Sequence, residues 1–268
     1  MHVSTAEELH ATTLGEHGPR VVFCHGLFGQ GRNWTQIGAA LAEEYRVLLV
    51  DLPNHGRSLW TDELDLVEDA DRVAEVLDGE PVTLVGHSMG GKVAMLTALR
   101  HPELVRRLCV VDVSPVTYHH TGEFLEFIEA MQTMDLASVR RRSDADTRLA
   151  AVVRNPSVRS FLLQNLRPTE DGWRWQVNLE VLGDQLTEIV GWPEDRLAGV
   201  SPYPGPVLWV AGGDSDYVRP EYAADMERWF PKVRRVTIKR AGHWVHSEQP
   251  EVFVAVLRDF LSAGPGGG

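Results

Sequence analysis

The chain has 268 residues, enough for one large α/β domain with a sizeable core, and its 43 % hydrophobic and 24 % charged content suits a folded globular protein. With 38 acidic against 26 basic side chains the formal net charge is −12, which argues against nucleic acid and anionic membrane surfaces as partners. No stretch approaches the roughly 20 apolar residues of a membrane span. Residues Met1 to Glu8 lack the apolar core of a signal peptide, so a cytoplasmic location is expected.

Through the first 113 residues short Val/Leu-rich runs alternate with amphipathic segments. Val21-Val22-Phe23-Cys24, Val47-Leu48-Leu49-Val50, Val82-Thr83-Leu84-Val85 and Leu108-Cys109-Val110-Val111 are apolar on both faces. That pattern predicts strands of a parallel sheet covered by helices on both faces. The helices are expected near 33–44, 64–78 and 90–101, joined to the strands in right-handed βαβ units. Cys24 and Cys109 fall on strands that are not neighbours, beyond the usual disulfide span, and are expected to be inert core thiols. Between Asp62 and Glu80 Arg72 is the sole basic residue, and this acidic stretch is expected to be a solvated helix face.

The alternation breaks after Pro115. From about 121 to 200 the pattern is helical, with Phe124, Phe127, Ile128 and Met131 on one face and no convincing strand around Trp173, Trp175 and Trp192. Arg140-Arg141-Arg142 is expected at the surface, with attraction of an anionic substrate group as the alternative. The alternation resumes with Val207-Leu208-Trp209-Val210, a helix near 220–230, Val233-Val236-Ile238 and a helix over 250–262. The expected organisation is an α/β core over 1–115 and 202–263, a helical cap insertion over 116–201, and a flexible tail or expression remnant over 264–268.

Four loops at strand ends carry the chemistry. Gly86-His87-Ser88-Met89-Gly90 follows one strand and opens a helix, the setting a Gly-x-Ser-x-Gly nucleophile elbow requires. The glycines leave room for a sharp turn, and the helix N-terminus favours negative charge developing at Ser88. His25-Gly26-Leu27-Phe28-Gly29 follows an earlier strand and supplies one oxyanion amide, Leu27 or, with the register shifted by one, Phe28; Met89 supplies the other. His25 itself is expected to shape its loop. Among 11 histidines, His243 stands out because it follows a glycine between the last strand and the last helix; His246 is expected to be structural. The acid is open between Asp112 and Asp216, since both follow a strand and preserve the chain order Ser, Asp, His. The His119-His120 pair has no carboxylate or cysteine cluster at ligand spacing, so no metal is expected.

With His25-Gly26-Leu27-Phe28-Gly29, Asp51-Leu52-Pro53-Asn54-His55-Gly56-Arg57-Ser58, Gly86-His87-Ser88-Met89-Gly90-Gly91-Lys92 and Asp112-Val113-Ser114-Pro115-Val116 in place, the chain resembles the α/β-hydrolase superfamily over nearly its whole length. More narrowly it resembles small bacterial and mitochondrial esterases and thioesterases, whose relatives include yeast-type alcohol acetyltransferases. The resemblance implies an eight-stranded, mostly parallel sheet with a helical cap inserted after the sixth strand. It also implies an acid after that sixth strand, which favours Asp112; in many other members the acid follows the seventh, which would select Asp216.

The expected chemistry is cleavage of a small-molecule acyl ester or thioester through an acyl-enzyme on Ser88, with His243 as base and no cofactor. Phe28, Phe124, Phe127, Met131, Phe161 and Trp192 are candidates for an apolar acyl pocket. Transfer to an alcohol, cofactor-free perhydrolysis and carbon–carbon bond hydrolysis use the same residues. A non-catalytic receptor would have no need of the complete set. The chain is expected as a monomer or homodimer.

Overall fold

The computed structural model describes residues 8–119 and 122–263; the tail and His120 lie outside the described residues. Strands β1 (Ala11–Leu14), β2 (Arg20–Cys24), β3 (Arg46–Val50), β4 (Val82–His87) and β5 (Val105–Val111) are interleaved with helices α1 (Thr35–Leu41), α2 (Leu66–Val76) and α3 (Met89–Arg100). After β5 come α4 (Gly122–Gln132), α5 (Arg142–Leu149), α6 (Pro156–Leu163), β6 (Leu166–Thr169), β7 (Gly172–Trp175), α7 (Leu179–Asp184) and α8 (Leu186–Val190). The chain then returns through β8 (Val207–Gly212), α9 (Ala223–Trp229), β9 (Val233–Ile238), α10 (Val245–Glu248) and α11 (Pro250–Ser262).

The main sheet runs β1-β3-β2-β4-β5-β8-β9, and only the β1–β3 pair is antiparallel. Its core divides as a period of two dictates. Val21, Phe23, Val47, Leu49, Val85 and Cys109 pack with Trp34, Leu41, Phe253 and Leu257 on one face, while Val22, Cys24, Leu48, Val50, Leu84 and Leu108 pack toward α2, α3 and the insertion on the other. The strands read as continuous apolar runs because both of their faces are dry. Cys24 and Cys109 therefore point to opposite faces, on strands separated by β4, and both are free and buried.

Two expectations need correction. The described sheet has seven strands rather than eight, and the insertion follows the fifth of them, Val105–Val111. β1, a half-exposed four-residue strand, forms one edge against β3, and no other described segment pairs beyond it. The insertion is also not purely helical, because β6 and β7 form a hairpin closed by Glu170-Asp171, with Thr169 opposite Gly172. The signal was present in Asp171-Gly172 followed by alternating Trp173 and Trp175, a short-range hairpin pattern.

The acidic stretch is only in part a solvated face. Asp65 caps α2 by accepting from the amides of Val67 (2.8 Å) and Glu68 (3.3 Å), but Asp69 is buried where α2 packs on α3. Burial pushes its carboxyl up to about 8, with the Arg72 guanidinium opposing. A carboxyl whose folded-state pKa is raised stabilises the fold below its unfolded value, and that contribution is lost as pH climbs from about 4 to about 8. Asp69→Asn, which cannot ionise, is therefore expected to raise the unfolding temperature by on the order of 5 °C at pH 8 and not at pH 4, measured by thermal scans at the two pH values.

Candidate active site

β4 ends at the centre of the sheet and the chain turns into α3 through a single residue. Ser88 adopts φ 52°, ψ −121°, in left-handed space that costs a side-chain-bearing residue energy. The turn is tight enough that a Cβ on Gly86 would lie 2.1 Å from the Gly90 carbonyl oxygen, and one on Gly90 would lie 2.3 Å from that of His25. Only glycine fits at either flank. The Ser88 amide donates to the Val111 carbonyl at 3.0 Å, which locks the turn to the end of β5.

The structure brings Ser88, His243 and Asp112 together. Ser88 Oγ lies 3.0 Å from His243 Nε2, and His243 Nδ1 lies 2.8 Å from Asp112 Oδ2. Asp112 is fully buried at the end of β5. Its carboxylate also accepts from the Gly212 amide at 2.8 Å and the Ser215 hydroxyl at 2.5 Å, so an ionised acid is held by donors on all sides. A carboxylate on Nδ1 requires that nitrogen to carry the proton, leaving Nε2 to accept from Ser88. Asp216 is exposed and makes no side-chain hydrogen bond to His243. Sequence reasoning missed Ser215, although it sits in the Gly212-Gly213-Asp214-Ser215-Asp216 loop that was in view, and missed Tyr217, whose ring stacks on His243 at 4.1 Å.

The candidate oxyanion amides differ in what occupies them. The Phe28 amide donates to His55 Nε2 at 3.2 Å. No described acceptor takes the amide of Leu27 or that of Met89, at the first position of α3. The loop is fixed from beneath by histidines. His25 donates from Nδ1 to the Gly26 carbonyl (2.9 Å) and accepts the Leu52 amide at Nε2 (2.9 Å). His55 donates from Nδ1 to the Pro53 carbonyl (2.8 Å), and His87 Nε2 donates to the His243 carbonyl (2.8 Å). His246 stacks on Trp34 at 4.0 Å. Burial lowers all four: His25 to about 4, His55 and His246 to about 3, and His87 well below the ordinary imidazole value.

Ser88 faces a small, mostly apolar cavity of about 10 Å³ lined by Leu27, Phe28, Phe124, Phe127, Phe161 and Trp244, among others. That is room for about one water. Met131 and Trp192, expected in the pocket, do not line it. Met131 sits one turn beyond Phe127 on α4, inside the insertion, where its carbonyl accepts from Trp175 Nε1; Trp192 packs where the insertion returns, its amide donating to Thr117 Oγ1 at 3.1 Å. Val158, Leu162 and Trp244 were the lining residues that periodicity did not single out. Lys92, one turn into α3, donates to the carbonyls of Val116 (3.2 Å), Val190 (2.5 Å) and Gly191 (2.5 Å), tying together the two ends of the insertion. Burial pushes its ammonium down to about 7.

A family model described as the alpha/beta hydrolase fold matches residues 19–250. Over 253 residues the chain is 38 % identical to the sn-1-specific diacylglycerol lipase ABHD11 of Mus musculus, an alignment covering 91 % of this chain and 81 % of that one. It is 30 % identical over 291 residues to ethanol acetyltransferase 1 of Eremothecium cymbalariae, covering 97 % and 81 %. Among solved structures, a marine microorganism esterase superposes with a TM-score of 0.90 at 32 % identity, covering 94 % of this chain and 99 % of that chain. The chain belongs to the α/β-hydrolase family and is related there to esterases, lipases and yeast alcohol acetyltransferases.

Buried histidines that refuse a proton in the folded state contribute stability that is full above about pH 6.5 and is lost as pH falls toward their depressed values. In ¹⁵N–¹H NMR spectra, His25, His55, His87 and His246 are expected to remain neutral from pH 8 to about pH 5, below the usual titration range of an exposed imidazole. Protonation of any of the four near pH 6.5 would contradict the scaffold described for the site.

Proposed function

We propose that the chain hydrolyses carboxylic esters by two-step acyl transfer, with Ser88 as nucleophile, His243 as base and then acid, and Asp112 as the group that orients and stabilises the imidazole. The observation that carries this reading is the unbroken hydrogen-bonded path from Ser88 Oγ through His243 to a buried, fully satisfied Asp112. The names of the relatives, a lipase and an esterase among them, support the same class of reaction. The chain is an ester-hydrolysing enzyme on this reading, and the steps follow from the geometry.

His243 Nε2 takes the hydroxyl proton as Ser88 Oγ attacks the carbonyl carbon. The negative charge that develops on the carbonyl oxygen is received by the Leu27 and Met89 amides, which are free to donate, whereas the Phe28 amide is committed to His55. The imidazolium is stabilised by Asp112, then gives its proton to the departing alcohol or thiol. That leaves an acyl group on Ser88 and a neutral His243. In the second step His243 deprotonates water, which attacks the acyl carbon; the acyl–Oγ bond breaks, His243 returns the proton to Ser88 Oγ, and the acid leaves. The aromatic lining matches an apolar acyl chain in character, and the side chains that leave room for about one water move apart to admit it; thioesters follow the same path with sulfur as leaving atom. An alcohol in place of water in the second step makes the enzyme a transferase, a reading favoured by the relative named as an ethanol acetyltransferase.

The test is a panel of p-nitrophenyl esters and acyl thioesters on four proteins. Ser88→Ala is expected to abolish turnover, Asp112→Asn to lower kcat by about 10³–10⁴ because the wrong tautomer is favoured, and Asp216→Asn to stay within about threefold of wild type. A fluorophosphonate is expected to label the peptide containing Ser88. Wild-type activity in Asp112→Asn would refute the acid assignment.

A further inference from the structure

The larger concavity near the site is not the one that Ser88 faces. A groove of about 1270 Å³ runs along the outer side of Phe161 and Trp244, and those two residues and Val158 line both spaces. The rings of Phe161 and Trp244, 6.1 Å apart, form part of the partition. The groove wall carries Arg32, Arg142 and Arg167.

In a chain of net charge −12, three guanidiniums on one wall should have acidic partners, and these have none among the described residues. Their hydrogen bonds go to neutral oxygens. Arg32 Nη2 donates to the Gln164 carbonyl at 2.5 Å, Arg142 to the carbonyls of Leu163 and Leu166, and Arg167 Nε to Gln176 Oε1 at 2.8 Å. Two carboxylates in the adjoining walls accept from backbone amides, Asp51 from those of Gly31 and Arg57, and Glu248 from those of Gly242 and Trp244. The arginines also feel one another: besides burial, Arg167, Arg142 and Arg57 lower Arg32, and Arg142 and Arg57 lower Arg167, with the Asp51 carboxylate opposing in both cases. Of the run Arg140-Arg141-Arg142, only Arg142 reaches the groove; Arg141 lies 3.8 Å from Asp144. Mutually repelling cations that outnumber the carboxylates around them and form no ion pair among the described residues favour an anionic ligand, and guanidiniums hold phosphate oxygens through paired N–H donors.

We propose that the Arg32–Arg142–Arg167 wall receives a phosphate carried on the alcohol or thiol half of the substrate, while the acyl half lies in the aromatic cavity at Ser88. This rests on Ser88 being the nucleophile. The ester or thioester carbonyl then lies at Ser88 Oγ just inside the Phe161–Trp244 partition, these side chains move apart to admit the substrate, and the leaving group departs into the groove. Two kinds of substrate share this chemistry, nucleotide thioesters of the coenzyme A type and acyl esters of glycerol phosphate.

The test compares matched pairs that differ only in phosphate: butyryl-coenzyme A against butyryl-N-acetylcysteamine, and 1-butyrylglycerol 3-phosphate against 1-butyrylglycerol. In at least one pair the wild type is expected to favour the phosphate-bearing member in kcat/KM, and Arg32→Ala/Arg142→Ala to cut that ratio about tenfold or more, mostly through KM. Added salt, from ~20 mM to ~500 mM, is expected to lower the wild-type ratio too. A preference in one pair alone identifies the source of the phosphate. A wild-type ratio near one in both pairs, or a ratio that survives the double variant, overturns the proposal. Calorimetric binding of free coenzyme A and glycerol 3-phosphate decides the subsite apart from chemistry. At least one is expected to bind wild type and Ser88→Ala alike and to weaken about tenfold in the arginine variant; binding by neither, or binding unaffected by the arginines, again overturns it. Ester turnover that persists in Ser88→Ala would contradict the nucleophile assignment instead.

Discussion

The site depends on one strained residue. Holding Ser88 at φ 52° costs on the order of 1–3 kcal/mol, and the fold keeps it there by packing glycine backbone against glycine backbone and by the Ser88–Val111 hydrogen bond. It is not alone. Phe28, Asn54, Ser88 and Asp112 all have positive φ, and each lies just beyond the end of β2, β3, β4 or β5. At four successive strands the chain bends sharply off the sheet instead of continuing outward. These bends set Ser88, Asp112 and the loop of Leu27 and Phe28 beside one another above one sheet edge. His243 arrives from the loop after β9, the far end of the chain in sequence and a short distance in space.

Polar groups that do no chemistry keep those bends in position. His25, His55 and His87 each spend a ring nitrogen on a backbone carbonyl, and the remaining nitrogens of His25 and His55 accept backbone amides. An imidazole can do this only while neutral, and burial keeps it so. Lys92 does a related job for the insertion, converging on three carbonyls from its two ends, so the segment over the Ser88 cavity is anchored to the helix that follows Ser88. Val158, Phe161 and Trp244 line both the small cavity at Ser88 and the arginine-lined groove, so side chains rather than the frame separate the two spaces.

Much of this was legible in the sequence, because parallel strands buried on both faces announce themselves as unbroken apolar runs, and the elbow glycines stand where a Cβ would strike backbone. What was hidden depends on partners distant in sequence. β1 is polar and half-exposed and becomes a strand only because β3 offers an edge. From spacing alone, Asp112 and Asp216 were equivalent; in the structure one is buried against His243 and the other faces solvent. Asp69 looked like one charge among many in an acidic helix, and its burial is set by tertiary packing that the local sequence does not show. Met131 shares a helical face with Phe127, but a face that spans several turns reaches past the cavity into the core of the insertion. The arginine wall joins residues from three parts of the chain, only one of them in a recognisable basic run.

The central claim is that a strained serine, activated through His243, presents its acyl intermediate to the Leu27 and Met89 amides. A crystal structure of the protein inactivated by an alkyl phosphonate tests this most directly, because the adduct mimics the tetrahedral intermediate. The account predicts phosphorus bonded to Ser88 Oγ, with one phosphonyl oxygen at about 2.7–3.1 Å from both amides and His243 still bonded to Asp112. An adduct on any other residue, or a phosphonyl oxygen turned away from both amides, would contradict it.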